Sequence, residues 1–256
     1  MSLPSGLLER LEKELGRGQD LVVLLDYDGT LTPIVPSPGA AILAGSARRT
    51  LAGLAASPRA RLAILSGRAL GDLKTRVGLR NVIYGGCHGL VIEGGRLRFR
   101  HPRARPAVMR DARRLLAAAA PAIPGAELEV KGLALSLHYR HVPPGRRREV
   151  RALVERVRRG VRGVTVVAGR DVFDFVPRVA WDKGRAARWI VARAALRPGP
   201  AVLYAGDDAT DEAAFRALRG RGITVRVGGS PTAAEFRVPG VREVHALLRR
   251  IQRALE

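Results

Sequence analysis

The chain carries one cysteine in 256 residues, Cys87, which excludes an internal disulfide and a zinc site built from cysteines. The scarcity agrees with a reducing compartment, and the expected location is cytoplasmic. No apolar run is long enough to cross a bilayer, so no membrane partner is expected. A basic-then-apolar leader is not expected either, since residues 1–18 carry Glu9, Arg10, Glu12, Lys13 and Glu14. There is no internal repeat, and the one low-complexity tract is the alanine run at 117–120. Lysine is scarce: Lys13, Lys74, Lys131 and Lys183 stand among 45 basic residues. Acidic residues number 23, which leaves a formal net charge of +22. A charge of that size ordinarily suggests nucleic acid or an anionic surface. Here it is nearly all arginine on an alanine-, glycine- and leucine-rich background. It therefore reads as a composition bias along the whole chain, and nucleic acid is not the expected partner. Where arginine is so readily placed, a retained lysine marks a position that calls for a compact point charge.

What is present starts with size: 256 residues at 46% hydrophobic content can bury a full core, in one large domain or two modest ones. The chain is organised around residues 21–32, LVVLLDYDGTLT. Five apolar residues bounded by turn signals are too few for a helix and predict a buried strand of the parallel-sheet type. That strand delivers Asp26 to its C-terminal end, where open α/β sheets place their chemistry. Asp26 and Asp28 then stand one residue apart on a turn loosened by Gly29. Carboxylates so close repel unless a cation or a shared proton intervenes.

The rest of the chain alternates. Helical spacing predicts a leading helix over residues 7–15, and Pro33, Pro36 and Pro38 a stiff loop beside the carboxylates. Ser46 is the expected N-cap of a helix to residue 56. A strand over 62–65 runs into Ser66-Gly67-Arg68. A helix over 69–77 leads to a strand over 82–84 that ends in Gly85-Gly86-Cys87-His88-Gly89, and residues 90–100 read as a hairpin turning at Gly94-Gly95. From His101 to Pro106 the chain is rich in proline and arginine, a crossing between domains. Beyond it come a helix (107–120), strands (127–131 and 133–140), a helix (146–159) and strands (164–168 and 172–176) around Gly169-Arg170. This α+β segment is followed by a helix (183–195), a strand (201–205), a helix to 218, a strand (223–227) and a terminal helix (241–255). The expected fold is α/β, a doubly wound parallel-sheet core with an inserted α+β cap. The expected domains are core at 1–100, cap at 101–178 and core again at 179–256.

Polar groups gather on four segments: Asp26 and Asp28; Ser66; Lys183 at a helix start; and Asp207, Asp208 and Asp211. All four should converge on one edge of the sheet. Carboxylate oxygens from two strands suit Mg²⁺, which binds a few carboxylates along with water and substrate phosphate. A hydroxyl and an ammonium on the same rim suit the other phosphate oxygens. Each feature has a structural counterpart. Ser66 can be a helix cap, Lys183 a surface lysine, the 207–212 run an acidic helix start, and Glu129 with Lys131 an exposed pair on one strand face.

The ordered set Asp26-x-Asp28-Gly29-Thr30, Ser66, Lys183, Gly206-Asp207-Asp208-x-x-Asp211 resembles the haloacid dehalogenase superfamily of phosphohydrolases. Leu65-Ser66-Gly67-Arg68, His88-Gly89, Glu129-x-Lys131-Gly132, His138-Tyr139-Arg140 and Trp181-Asp182-Lys183-Gly184 make it similar, within that superfamily, to the trehalose-6-phosphate phosphatases. The resemblance spans about residues 20–228. It implies a Mg²⁺-dependent phosphatase of trehalose biosynthesis, working as a monomer on a small sugar phosphate. Asp26 would be the nucleophile that forms an aspartyl-phosphate, and Asp28 the acid and then the base. Asp26, the carbonyl of Asp28 and Asp207 would hold the metal, with Asp208 and Asp211 binding through water or orienting neighbours. Ser66 and Lys183 would fix the phosphoryl group. Thr30, Gly67, Arg68, His88, Glu129, Lys131 and Asp174 would contact substrate.

The chain departs from the pattern in places. Where relatives present a glutamate to the sugar, Val172-Phe173-Asp174-Phe175 is one methylene shorter, and Cys87 and Pro177-Arg178-Val179-Ala180 are variants. Two alternatives remain: a related capped phosphatase of sucrose 6-phosphate or glucosylglycerol phosphate, and a non-catalytic basic protein that binds polyanions. Against the latter, every catalytic position holds the expected residue type.

Overall fold

The computed structural model describes residues 3–16, 19–35, 38–169, 171–194 and 199–256. Pro36, Arg170 and Ala195, expected in a loop, a turn and a helix end, lie outside these residues. The chain divides into two compact units, one of Met1–Ser66, Leu70–Phe99 and Trp181–Glu256, the other of Gly67–Ala69 and Arg100–Ala180.

In chain order the elements are α1 (Ser5–Gly16), β1 (Leu21–Leu25), α2 (Gly45–Ala56), β2 (Ala60–Leu65), α3 (Leu70–Val77), β3 (Val82–Gly86), β4 (Val91–Gly94) and β5 (Leu97–Arg100). Then come α4 (Arg110–Ala119), β6 (Glu127–Val130), β7 (Leu135–His138), α5 (Arg147–Gly160), β8 (Val164–Gly169) and β9 (Val172–Pro177). The chain closes with α6 (Lys183–Ala194), β10 (Ala201–Gly206), α7 (Glu212–Leu218), β11 (Ile223–Val227), β12 (Phe236–Val238) and α8 (Val241–Leu255).

The larger unit is built on an eight-stranded sheet in the order β12-β11-β10-β1-β2-β3-β4-β5. From β12 to β3 every pairing is parallel, and β4 turns antiparallel on β3. Central β1 is buried on both faces, which explains why its five residues are all apolar and do not alternate. Its pleat still sorts them. Leu21, Val23 and Leu25 enter a core lined by α1, α2, α3 and α8, whereas Val22 and Leu24 enter a second core under α6 and α7. The result is a three-layer, doubly wound α/β unit.

The smaller unit has an antiparallel sheet in the order β6-β7-β9-β8. One face, with Leu135, Leu137, Phe175 and Val164, packs on the apolar stripes of α4 and α5. The other face carries Glu129, Ser136, His138 and Asp174. Among the described residues no helix is long and apolar enough to cross a membrane.

Some local expectations shift. Ser46 is not an N-cap: α2 begins at Gly45 after Ala44 with no side-chain cap, and the Ser46 carbonyl accepts from Thr50 Oγ1 at 3.2 Å. The first turn is exposed, so water can serve its free N–H groups. The helix expected from residue 107 opens as a 3-10 turn, Pro106–Met109, before α4. The three-residue edge strand β12 is too short to leave a period in the sequence.

Candidate active site

Asp26 follows β1 directly, and its N–H donates to the Ala205 carbonyl at 2.9 Å, extending the ladder one step and fixing the residue at the sheet edge. In the parallel register Leu25 stands opposite Ala205 on one side and Ile64 on the other. The residues after β10 and β2, Asp207 and Ser66, therefore emerge beside Asp26. The turn that follows is tight: Leu31 and Thr32 both donate their N–H to the Tyr27 carbonyl, at 2.9 and 3.0 Å. Gly29 takes φ +82°, and a Cβ there would collide with the Asp207 carboxylate. The loop thus approaches Asp207 as closely as it does only because this position is glycine. Thr30 Oγ1 donates to Asp207 Oδ1 at 3.3 Å.

After β10 the acidic run divides its tasks. Asp208 caps the following turn, its Oδ1 accepting from Ala209 N–H at 2.7 Å, while Asp211 Oδ2 accepts from Asp208 N–H at 2.9 Å. This reciprocal box aims Asp211 inward, where it is fully buried. Lys183, the first residue of α6, donates to Asp26 Oδ1 at 2.6 Å and to Asp211 Oδ1 at 2.8 Å. A cation at a helix N-terminus opposes the macrodipole. Burial also disfavours the ammonium, yet Asp211 and Asp26 outweigh it and hold the Lys183 pKa well above that of an ordinary lysine. Tyr204 on β10 donates its hydroxyl to the same Asp211 oxygen at 2.7 Å.

Oxygens of Asp26, Asp207 and Asp211 lie within 4.8 Å of one another. Burial pushes the Asp26 carboxyl well above its usual range, Lys183 opposes this, and Asp211 and Asp207 add to it. Burial and then Asp211 push Asp207 up to about 7. Asp26 and Asp211 thus share the Lys183 ammonium, and the charge of Asp211 raises the pKa of both Asp26 and Asp207. An all-oxygen donor set with charge to spare fits a hard divalent cation. The carboxylates of Asp28 and Asp208 stand outside this cluster; Asp28 bridges Thr32 through its backbone.

Ser66 is buried at the end of β2, its N–H donating to the Gly85 carbonyl and its carbonyl accepting from His88 N–H, both at 2.9 Å. Cys87 and His88 take successive positive φ values of +50° and +58°. Such a pair of left-handed non-glycine residues is sparsely populated and held only by its surroundings.

Gly67 and the buried Arg68 group with the smaller unit. On the polar face of its sheet, Glu129, Ser136 and Asp174 stand side by side across β6, β7 and β9. Lys131 lies one residue past β6, its Nζ 3.7 Å from Glu129 and 3.4 Å from Asp174. Ser136 Oγ donates to Asp174, and His138 Nε2 lies 2.9 Å from Glu129 Oε2. Burial raises the Glu129 carboxyl, but the His138 hydrogen bond, Lys131 and Arg68 outweigh it and bring the pKa below the usual value. Glu129, Lys131 and Asp174 are therefore brought together in one charged cluster. Sequence reasoning missed Ser136 and Tyr204, and named His138 only as part of a motif, with no role. The alternation of Ser136 and His138 along β7 marked those two, but Tyr204 gave no sign beyond a hydroxyl in an apolar strand.

The doubly wound sheet, the acidic cluster at its edge and the antiparallel unit inserted in the chain define a capped haloacid dehalogenase-like hydrolase. In C. albicans the trehalose-6-phosphate phosphatase C-terminal domain has the same fold, with a TM-score of 0.85 at 24% identity over 98% of each chain. The trehalose-phosphatase family model matches residues 24–241. A probable trehalose-phosphate phosphatase 9 of Oryza sativa is 33% identical over 92% of this chain and 70% of its own length. A trehalose-phosphate phosphatase of Mycobacterium marinum is 37% identical over 87% of this chain and 60% of its own. The chain belongs to the trehalose-phosphatase family and is a phosphoric monoester hydrolase.

Proposed function

We propose that this chain hydrolyses trehalose 6-phosphate to trehalose and inorganic phosphate, with Mg²⁺ as cofactor and Asp26 as nucleophile. The observation that carries this reading is the Lys183 ammonium 2.6 Å from Asp26, inside the carboxylate cluster of a trehalose-phosphatase family member. Lys183 steadies the anionic form of Asp26 despite its burial, and so keeps it reactive.

A carboxylate oxygen of Asp26 attacks phosphorus as the bond to the sugar oxygen breaks, giving an aspartyl-phosphate. Asp28 gives its proton to the departing sugar oxygen, then takes one from the water that attacks the intermediate and frees Asp26. Ser66 and Lys183 hold phosphoryl oxygens in line throughout. Mg²⁺ would be held by Asp26, Asp207 and the carbonyl of Asp28, with Asp208 and Asp211 as water-mediated or orienting partners, and would offset phosphoryl charge. Thr30, Gly67, Arg68 and His88 are further substrate contacts, and Glu129, Lys131 and Asp174 take sugar hydroxyls. The same reading has the chain working as a cytoplasmic monomer on a small molecule, with no nucleic-acid partner; its lone cysteine suits that compartment.

The test is a panel of sugar phosphates offered to the purified protein with Mg²⁺. Phosphate release should be fastest from trehalose 6-phosphate. Equal or faster release from sucrose 6-phosphate or glucosylglycerol phosphate would overturn the substrate.

A further inference from the structure

Strand β10 reads AVLYAG and is buried throughout, so the hydroxyl of Tyr204 is the one polar side-chain atom on an otherwise apolar strand. Burial of that kind is stable only with a partner. The partner is Asp211 Oδ1 at 2.7 Å, the oxygen that also accepts from Lys183 at 2.8 Å. Asp211 Oδ2 is meanwhile taken by the N–H of Asp208. The ring of Tyr204 stands edge-on to Phe215, centroids 5.7 Å apart at 86°, which fixes where the hydroxyl points.

We infer that Tyr204 is a positioning residue of the phosphatase reaction: its hydroxyl shares Asp211 with Lys183 and so leaves the ammonium divided between Asp211 and Asp26. Asp211 is fully buried, and the hydroxyl is a neutral donor that satisfies part of its charge. Without that donor the carboxylate competes harder for Lys183 and draws it from Asp26, the group that reacts. Tyr204 is fully buried, so it should govern turnover rather than substrate binding.

This inference rests on the phosphatase reading, and Tyr204→Phe, which keeps the ring, separates the two. The assay uses p-nitrophenyl phosphate with Mg²⁺, so it does not depend on the identity of the sugar. Wild-type protein inert towards every phosphomonoester would overturn the phosphatase reading itself. With active wild type, Tyr204→Phe should lose kcat about tenfold, with KM changed by less than about twofold and a melting temperature lowered by a few degrees, the cost of one buried hydrogen bond to a charged group. In a double-mutant cycle, adding Tyr204→Phe to Asp211→Asn should cost less than about twofold more. If Asp211→Asn does not fold, the cycle is run with Lys183→Arg and the same expectation. Unaltered kcat in Tyr204→Phe, or a fully additive loss in the cycle, overturns the inference.

Discussion

Lys183 and Asp26, 157 residues apart in the chain, meet at 2.6 Å with both side chains almost entirely withdrawn from water. The contact joins the start of α6 to the end of β1, and the chemistry proposed for this chain depends on it. Replacing Lys183 by alanine leaves Asp26 and Asp211 buried without their cation. Removing one partner of a buried ion pair costs about 3–5 kcal/mol. Urea denaturation at pH 8 should show a loss of that order, and a smaller one at pH 5.5, where the raised carboxyls take up protons. Phosphatase activity should disappear in the same variant.

Asp207 supplies a pH dependence with a defined sign. Its folded pKa of about 7 lies above the ordinary ~3.9 of an unfolded aspartate, so the folded state binds the proton more tightly. That stabilisation is complete below the unfolded value and is lost as pH rises through 7. The melting temperature in EDTA should therefore rise as pH falls from 8 to 6. Mg²⁺ should raise it at pH 8, where the carboxylate is free to bind, and Asp207→Asn should flatten both responses.

Gly29 tests the close approach of the loop to Asp207. With φ at +82° and no space for a Cβ beside that carboxylate, Gly29→Ala should destabilise the chain by about 1–3 kcal/mol. Chemical denaturation reads the loss. The Mg²⁺-dependent rise in melting temperature should shrink in the same variant.

The polar strand face predicts a split between substrates. Glu129→Gln and Lys131→Ala should lower kcat/KM on trehalose 6-phosphate by about 10- to 100-fold, since each would remove one of the charge-assisted hydrogen bonds proposed to hold the sugar. On p-nitrophenyl phosphate, which has no sugar, steady-state kinetics should show less than about a threefold change. A Lys131→Ala variant equally impaired on both substrates would remove the residue from sugar recognition.

Much of this was legible in the sequence because the signals are local. Five apolar residues ending in Asp26-Tyr27-Asp28 specify a buried strand with carboxylates at its end, and polar residues at three strand ends together with Lys183 at a helix start specify the sheet edge. Lysine scarcity singled out Lys183 and Lys131, and both occupy charged clusters. What escaped depends on neighbours distant in sequence. Ser46 looks like a cap until the true start of α2 is seen. Ser136 and His138 alternate correctly along β7, but only the register with β6 and β9 sets them beside Glu129 and Asp174. Tyr204 is one more large residue in a buried strand until its hydroxyl is found on Asp211. β12 was hidden by its length, since three residues carry no period.

The central claim, that Asp26 carries the phosphoryl group between sugar and water, is tested most directly by trapping the intermediate. Protein turning over trehalose 6-phosphate with Mg²⁺ is quenched in acid, reduced with borohydride and digested for mass spectrometry, which converts a phosphorylated carboxyl to an alcohol. The account predicts reduction at Asp26, dependent on both substrate and metal. Reduction at another carboxylate, or none during active turnover, would contradict it.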